Sequence, residues 1–215
     1  MQKNTILYIF DPICGWCYGF SGTIVDLFNK RKDEFNFEVI AGGMITGSRI
    51  APYSTMKNYI HGAYKRVEDM TGAKFGQAYL HDLLASSDKL MNSEPPSRAL
   101  VTFRTFLPEQ VVLYAHELQK KQYVEGRDFN DTSVYEELAT KFGISPEAFM
   151  ERFNSDEMKH QTQQDFQWSQ NAGVKGFPTV VMKTEAGYYL VSNGFRPLDE
   201  VERVIDSILT VAAKP

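Results

Sequence analysis

The chain has 215 residues, of which 43% are hydrophobic and 13% aromatic, and only two are cysteine. That length gives one large domain, or one domain carrying an insertion, with enough apolar material for a core and too few thiols for a disulfide scaffold or a cysteine-rich zinc module. The balance of 23 Lys and Arg against 27 Asp and Glu, a net charge of −4, lacks the concentrated basic face of a nucleic-acid binder. No apolar run approaches the roughly 18–20 residues of a membrane helix. The five or six apolar residues near the N-terminus are too short for a secretory signal. A cytoplasmic protein that binds neither nucleic acid nor membrane is therefore expected.

In chain order, residues 5–10 form a short, almost continuously apolar run that suits a central strand covered on both faces. Phe20, Ile24, Leu27 and Phe28 make one stripe of a helix beginning near Cys14. Phe35, Phe37 and Val39 alternate with polar residues in a second strand that ends at Gly42-Gly43. Strand, helix and strand in about forty residues predict a right-handed crossover with parallel strands. From about residue 52 to 172 the pattern is helical with almost no strand signal. Pro108 opens a helix marked by Val111, Ala115 and Leu118, and Asp131 is the expected N-cap of one marked by Val134, Leu138 and Phe142, with Gly143 its stop. Ser145 and Ser155 start two more, one burying Phe149 and Phe153, the other carrying Met158, Thr162 and Phe166. Met91 to Ser97, with Pro95-Pro96, reads as a loop between helices. The strands 179–182 and 188–191 flank Glu185-Ala-Gly187 as a hairpin, and Arg196-Pro197 opens a closing helix. The order predicts an α/β frame with an inserted helical subdomain: 1–43 and 157–215 as the two parts of the frame, 44–156 as the insertion.

The two cysteines form Cys14-Gly-Trp-Cys17 between the first strand and the first helix. Two cysteines placed at random would show this spacing roughly one time in a hundred. A thiol in the first helical turn faces unpaired backbone N–H groups and the positive end of the helix dipole, which favour its thiolate. Cys14 is thus the candidate nucleophile, and Cys17, one turn deeper, resolves a mixed disulfide. A zinc site needs further ligands, but the four histidines stand singly at 61, 81, 116 and 160, so no metal is expected. They read as surface residues or satisfied core residues. A disulfide closing so small a loop stabilises little, so redox chemistry is the better reason for the pair.

Gly173-Val-Lys-Gly-Phe-Pro-Thr179 precedes the third long strand, a place where a cis X-Pro bond is commonest. The element order brings this loop to the same end of the sheet as Cys14. With Asp11-Pro-Ile-Cys-Gly-Trp-Cys17, the whole chain resembles the thioredoxin superfamily. The helical insertion is similar to that of the DsbA family, and the two strings to its cytosolic, FrnE-like branch. The resemblance implies a thioredoxin-like α/β fold with an all-helical insertion. It also implies disulfide oxidoreductase or isomerase activity on protein or peptide thiols and disulfides. It makes Cys14 and Cys17 catalytic, Pro178 the cis proline packed against them, and the Phe177 backbone a docking edge for an extended substrate. No cofactor beyond the redox-active pair is implied, with glutathione a candidate co-substrate.

Departures from the family pattern matter. No histidine lies between the cysteines, and Tyr8 stands where thioredoxin keeps a buried acid. Trp16 is expected to be exposed between the thiols as a substrate grip or a shield. Asp11, a candidate for tuning the thiols, reads first as an Asp-Pro strand terminator in a turn, and Arg49 and Lys175 read equally as bordering the site or as ordinary solvated charge. Phe103, Phe106, Tyr114 and Trp168 read as helical core. Two other functions fit the same outline. One is a glutathione-dependent isomerase or transferase, against which the retained Cys17 argues; the other is a client-binding, chaperone-like module with idle thiols.

Overall fold

The structure, a computed structural model, describes residues 3–212. Strand β1 (Thr5–Phe10) leads into helix α1 (Gly15–Arg31), and β2 (Asn36–Ala41) pairs parallel with β1. Every residue of β1 is buried because both faces of the strand are covered. Ile6, Tyr8 and Phe10 point into the main core, and Leu7 and Ile9 join Ile40 on the other face, the two-residue alternation of a strand. After β2 the chain forms the short β3 (Ala51–Pro52), α2 (Lys57–Thr71), the short β4 (Leu90–Met91) and α3 (Glu94–Phe106). Helices α4 (Val111–Tyr123), α5 (Ser133–Lys141), α6 (Pro146–Asn154) and α7 (Asp156–Asn171) follow. The hairpin β5 (Thr179–Thr184) and β6 (Gly187–Asn193) and the final α8 (Leu198–Ala212) close the fold.

The main sheet runs β2-β1-β5-β6, with β5 antiparallel to β1. The expected α/β frame with a helical block between its second and third long strands is what forms. Register fixes the geometry that matters. Thr179 pairs with Ile9 and Ala41 with Phe10. The segments before β5 and after β2 therefore meet the chain leaving β1 at one sheet edge. Helix α1 packs against α2, α4 and α8, while α7 lies against β2 and α3.

Several local expectations change. Pro95 and Pro96 do not break the chain; they occupy the first turn of α3, where a missing N–H costs nothing. The helical block contains a small antiparallel pair, β3 with β4, whose two-residue strands are too short to leave an alternating pattern. Asp131 does not cap α5. It accepts from the backbone N–H (3.0 Å) and hydroxyl (2.7 Å) of Ser133 in the turn ahead, and Thr132 holds the cap position. Gly143 does stop that helix, at φ +75°, and Ser145 and Ser155 accept from Ala148 and Met158 N–H groups as true caps. Phe103 and Tyr114 stack inside the helical block, but Phe106 is half-buried. Trp168 belongs elsewhere: it covers Leu7, Ile9 and Ile40 on the outer face of the sheet.

Candidate active site

Strand β1 ends at Asp11, which is fully buried and acts as the hub of the sheet edge. Its carboxylate accepts from Ile13 N–H (3.1 Å), Met44 N–H (2.7 Å) and the Ser93 hydroxyl (3.0 Å), and so joins the segment after β2 and the start of α3. Its carbonyl accepts from Cys14 N–H at 3.1 Å. The expected turn role is therefore real, but the side chain does more than end a strand. Burial raises the Asp11 carboxyl above its ordinary range, and the three donors, with Arg49 nearby, oppose that only in part.

Cys14 is the N-cap residue of α1, in an extended conformation at φ −91° and ψ 115°. Its sulfur faces the backbone N–H groups of Trp16 and Cys17, and no disulfide joins the two cysteines in this structure. The Cys17 thiol, hydrogen-bonded to it, does most to hold the Cys14 thiol below its ordinary value. The two N–H groups act the same way, against burial and the Asp11 charge. Cys17, by contrast, is pushed well up, chiefly by burial and then by its neighbour Cys14. Cys14 keeps 7% of its surface exposed and Cys17 none. One thiol is thus activated and reachable, and the other is protonated and sealed.

Three groups hold the first turn in place. Tyr8 donates to the Cys17 carbonyl at 3.4 Å, and burial raises its phenol far enough that it stays a proton donor. Gln119 on α4, with its amide donating to the same carbonyl (3.3 Å), accepts from Tyr18 N–H (3.2 Å). Tyr18 in turn donates to the Lys74 carbonyl at 2.6 Å. Nothing in the sequence marked Gln119, because a glutamine on a helix reads as a solvated side chain until the partner helix is known.

On the opposite flank, the Phe177–Pro178 peptide bond is cis and Pro178 is buried. The Phe177 carbonyl lies 3.7 Å from Cys14 Sγ. The Phe177 ring rests on Leu7, Ile9 and Ile40 and crosses directly over Gly42. Trp16 is half-buried rather than exposed: it packs on the core and lines a cavity beside Cys14. Arg49, although exposed, donates to the Gly43 carbonyl at 3.0 Å and so sits at this edge. Lys175 instead lines a depression on the outer sheet face, with Trp168. Of the histidines, His61 contacts the Leu80 carbonyl (2.9 Å) and His116 the Ser21 hydroxyl (2.9 Å), both away from the thiols. No cluster of three or more His, Cys, Asp or Glu that could hold a metal occurs among the described residues. No described helix is long and apolar enough to cross a membrane.

Residues 5–206 match the family model for a DSBA-like thioredoxin domain. The chain belongs to the DSBA-like thioredoxin domain family. Members of this family are disulfide oxidoreductases and isomerases. Among solved structures, a protein from Nitrosomonas europaea provisionally named a protein disulfide isomerase is 26% identical, with a TM-score of 0.85 over 98% of this chain and 99% of that one. The cytosolic disulfide reductase DsbM from Pseudomonas aeruginosa is 24% identical, with a TM-score of 0.80 over 96% of this chain and 99% of that one, and it is also solved with GSH (TM-score 0.78). Comparison with curated protein sequences returned no match.

Proposed function

We propose that this DSBA-like protein exchanges disulfides with protein or peptide substrates through Cys14 and Cys17. The observation that carries the reading is the opposed pair: a Cys14 thiol lowered at a helix start and a buried Cys17 thiol raised behind it. In the reducing direction the Cys14 thiolate attacks one sulfur of a substrate disulfide. The substrate S–S bond breaks, a mixed disulfide forms, and the second sulfur leaves as a thiolate that takes up a proton. Cys17 then gives up its proton and attacks the Cys14 sulfur. The mixed disulfide breaks, a Cys14–Cys17 disulfide forms, and the substrate has gained two electrons and two protons. Run backwards, the same steps oxidise a dithiol, and the couple that meets the pair sets the direction.

The Phe177 carbonyl, 3.7 Å from Cys14 Sγ, supports a docked extended segment along the proline loop, beside the buried Pro178. Glutathione serves in this proposal as the small thiol that resets the pair, a reading supported by the related reductase solved with GSH. That relative, described as cytosolic, also supports a cytoplasmic workplace. A transferase acting through one sulfur would have no use for the sealed Cys17.

The test is trapping. Cys17→Ser, incubated with a disulfide-bonded protein substrate, accumulates mixed disulfides on Cys14 that non-reducing gels and mass spectrometry detect. Cys14→Ser accumulates none. Equal trapping by both variants, or by neither, removes the assigned roles.

A further inference from the structure

One side chain of the helical block grips the turn that carries both thiols. Gln119 is fully buried where α4 packs on α1, with Ala115, Leu118 and Tyr123 buried around it on the same helix. Burying an amide is unfavourable unless both of its ends are paired. Both are, and with the two polar atoms of a single peptide group. The Gln119 nitrogen donates to the Cys17 carbonyl at 3.3 Å, and its oxygen accepts from the Tyr18 N–H at 3.2 Å. Neither backbone atom depends on it. The Tyr18 N–H also donates to the Cys14 carbonyl at 3.1 Å, and the Cys17 carbonyl also accepts from the Tyr8 hydroxyl at 3.4 Å. A methionine or leucine would fill the same space and leave no backbone group unpaired, so neither packing nor hydrogen-bond satisfaction accounts for an amide here.

We propose that Gln119 is a positioning residue through which the helical block restrains the oxidising power of the Cys14–Cys17 pair. With its nitrogen on the carbonyl and its oxygen on the N–H, the side-chain amide lies antiparallel to the Cys17–Tyr18 peptide. Amide dipoles are each about 3.5 D, so an antiparallel pair largely cancels at a distance. The cancelled peptide belongs to the first turn of α1, whose positive end acts on Cys14 at the N-cap position. Gln119 thus removes part of the field that favours a Cys14 thiolate. The thiolate exists only in the reduced protein, and a Cys14–Cys17 disulfide carries no charge. Less thiolate stabilisation therefore means a less favoured dithiol and a weaker oxidant than the same turn with an apolar residue at 119. The inference rests on the disulfide-exchange reading above and adds to it the part played by the helical block.

The experiment compares the full-length protein with Gln119→Met and Gln119→Leu, which keep the bulk and lose the dipole. Two readouts are taken: the pH midpoint of Cys14 alkylation, and the equilibrium with glutathione at a pH above that midpoint in every protein. The equilibrium is balanced, since two glutathione thiols reduce the Cys14–Cys17 disulfide and leave as glutathione disulfide. Both variants should ionise Cys14 at a proton concentration about two- to fivefold higher than the unaltered protein. Their equilibrium constant for reduction should rise by the same factor. By the relation of about 29.6 mV per tenfold, that is a potential roughly 10–20 mV higher. Gln122→Met is the control. Gln122 is equally buried on α4, and its oxygen accepts from the Tyr53 hydroxyl at 2.8 Å, with no hydrogen bond to the thiol turn. Its loss should lower the urea midpoint and leave both redox readouts in place. Unchanged readouts in the Gln119 variants, shifts of the opposite sign, or an equal shift in Gln122→Met would overturn the inference and leave disulfide exchange standing. A wild-type pair that never equilibrates with glutathione or with a protein disulfide refutes the exchange reading itself.

Discussion

Gly42 offers the sharpest test of how the proline loop is held. It follows β2 and donates to the Phe10 carbonyl at 2.8 Å, and its φ is not in the left-handed region, so alanine fits its backbone. Space is the obstacle. A Cβ there would lie 3.0 Å from Phe177 Cδ1 and well inside contact distance of Cε1 and Cζ. Ordinary carbon–carbon contact is about 3.5–4.0 Å, so the ring tip must retreat by more than about 1 Å. Retreat lifts the ring from Leu7, Ile9 and Ile40 or drags the Phe177 backbone with it. Full burial of a phenylalanine is worth about 1.5–3 kcal/mol, and this ring is half-buried, so Gly42→Ala should cost about 1–2 kcal/mol. For a chain of this length that lowers Tm by about 2–8 °C. Because the Phe177 carbonyl sits 3.7 Å from Cys14 Sγ, mixed-disulfide formation should slow as well. The decisive assay is a double-mutant cycle read by urea unfolding. In a Phe177→Ala background the alanine at 42 has nothing to strike, and its cost should vanish, a coupling of about 1 kcal/mol or more. An undiminished cost in that background would refute the claim that packing over Gly42 seats the loop.

Two further outcomes follow from the geometry. Alkylation of the reduced protein by iodoacetamide between pH 5 and 10 should rise with pH through one inflection below the ordinary thiol value of about 8.5. The modification should map to Cys14, because the Cys17 hydrogen bond and two backbone N–H groups favour its thiolate while burial keeps Cys17 protonated. Peptide mapping that finds Cys17 modified first would contradict this. Asp165 on α7 accepts from both terminal Arg104 nitrogens (3.0 Å each) and from Ala41 N–H (3.1 Å), and Arg104 also donates to the Val39 carbonyl. Asp165→Asn turns an amide NH₂ toward these donors and should cost about 2–3 kcal/mol, seen as a lower urea midpoint with unchanged m-value. An unmoved midpoint would show that α7 is held to β2 by apolar packing alone.

The parts of the fold that sequence pattern revealed are those whose stabilising contacts are local or periodic. The apolar run 5–10, the stripe from Phe20 to Phe28 and the capping serines 145 and 155 each carry their signal within one element. Pro95-Pro96 misled because the same residues that break a helix also open one, and only the α3 packing decides between the two. The β3–β4 pair brings together residues about forty positions apart in two-residue strands, below the length at which alternation is visible. The thiol pair was legible because spacing and placement coincide in four residues. Its setting was not. Asp11 becomes a hub only once Met44 and Ser93 reach it, and Gln119 lies more than a hundred residues from the carbonyl it holds. Trp16 counts as half-buried only once it packs on the assembled core. The cavity it lines beside Cys14 is drawn from segments that share no motif.

The antiparallel pairing of β5 with β1 also has a consequence in time. Cys14 and the Phe177 carbonyl that flanks it are separated by 163 residues, and only the arrival of β5 beside β1 brings them together. At 5–20 residues per second, a ribosome takes roughly 10–30 s to make the intervening chain. Through that interval the growing polypeptide carries two thiols and lacks the loop that flanks them. The thiol pair is thus made well before the loop that completes the site around it.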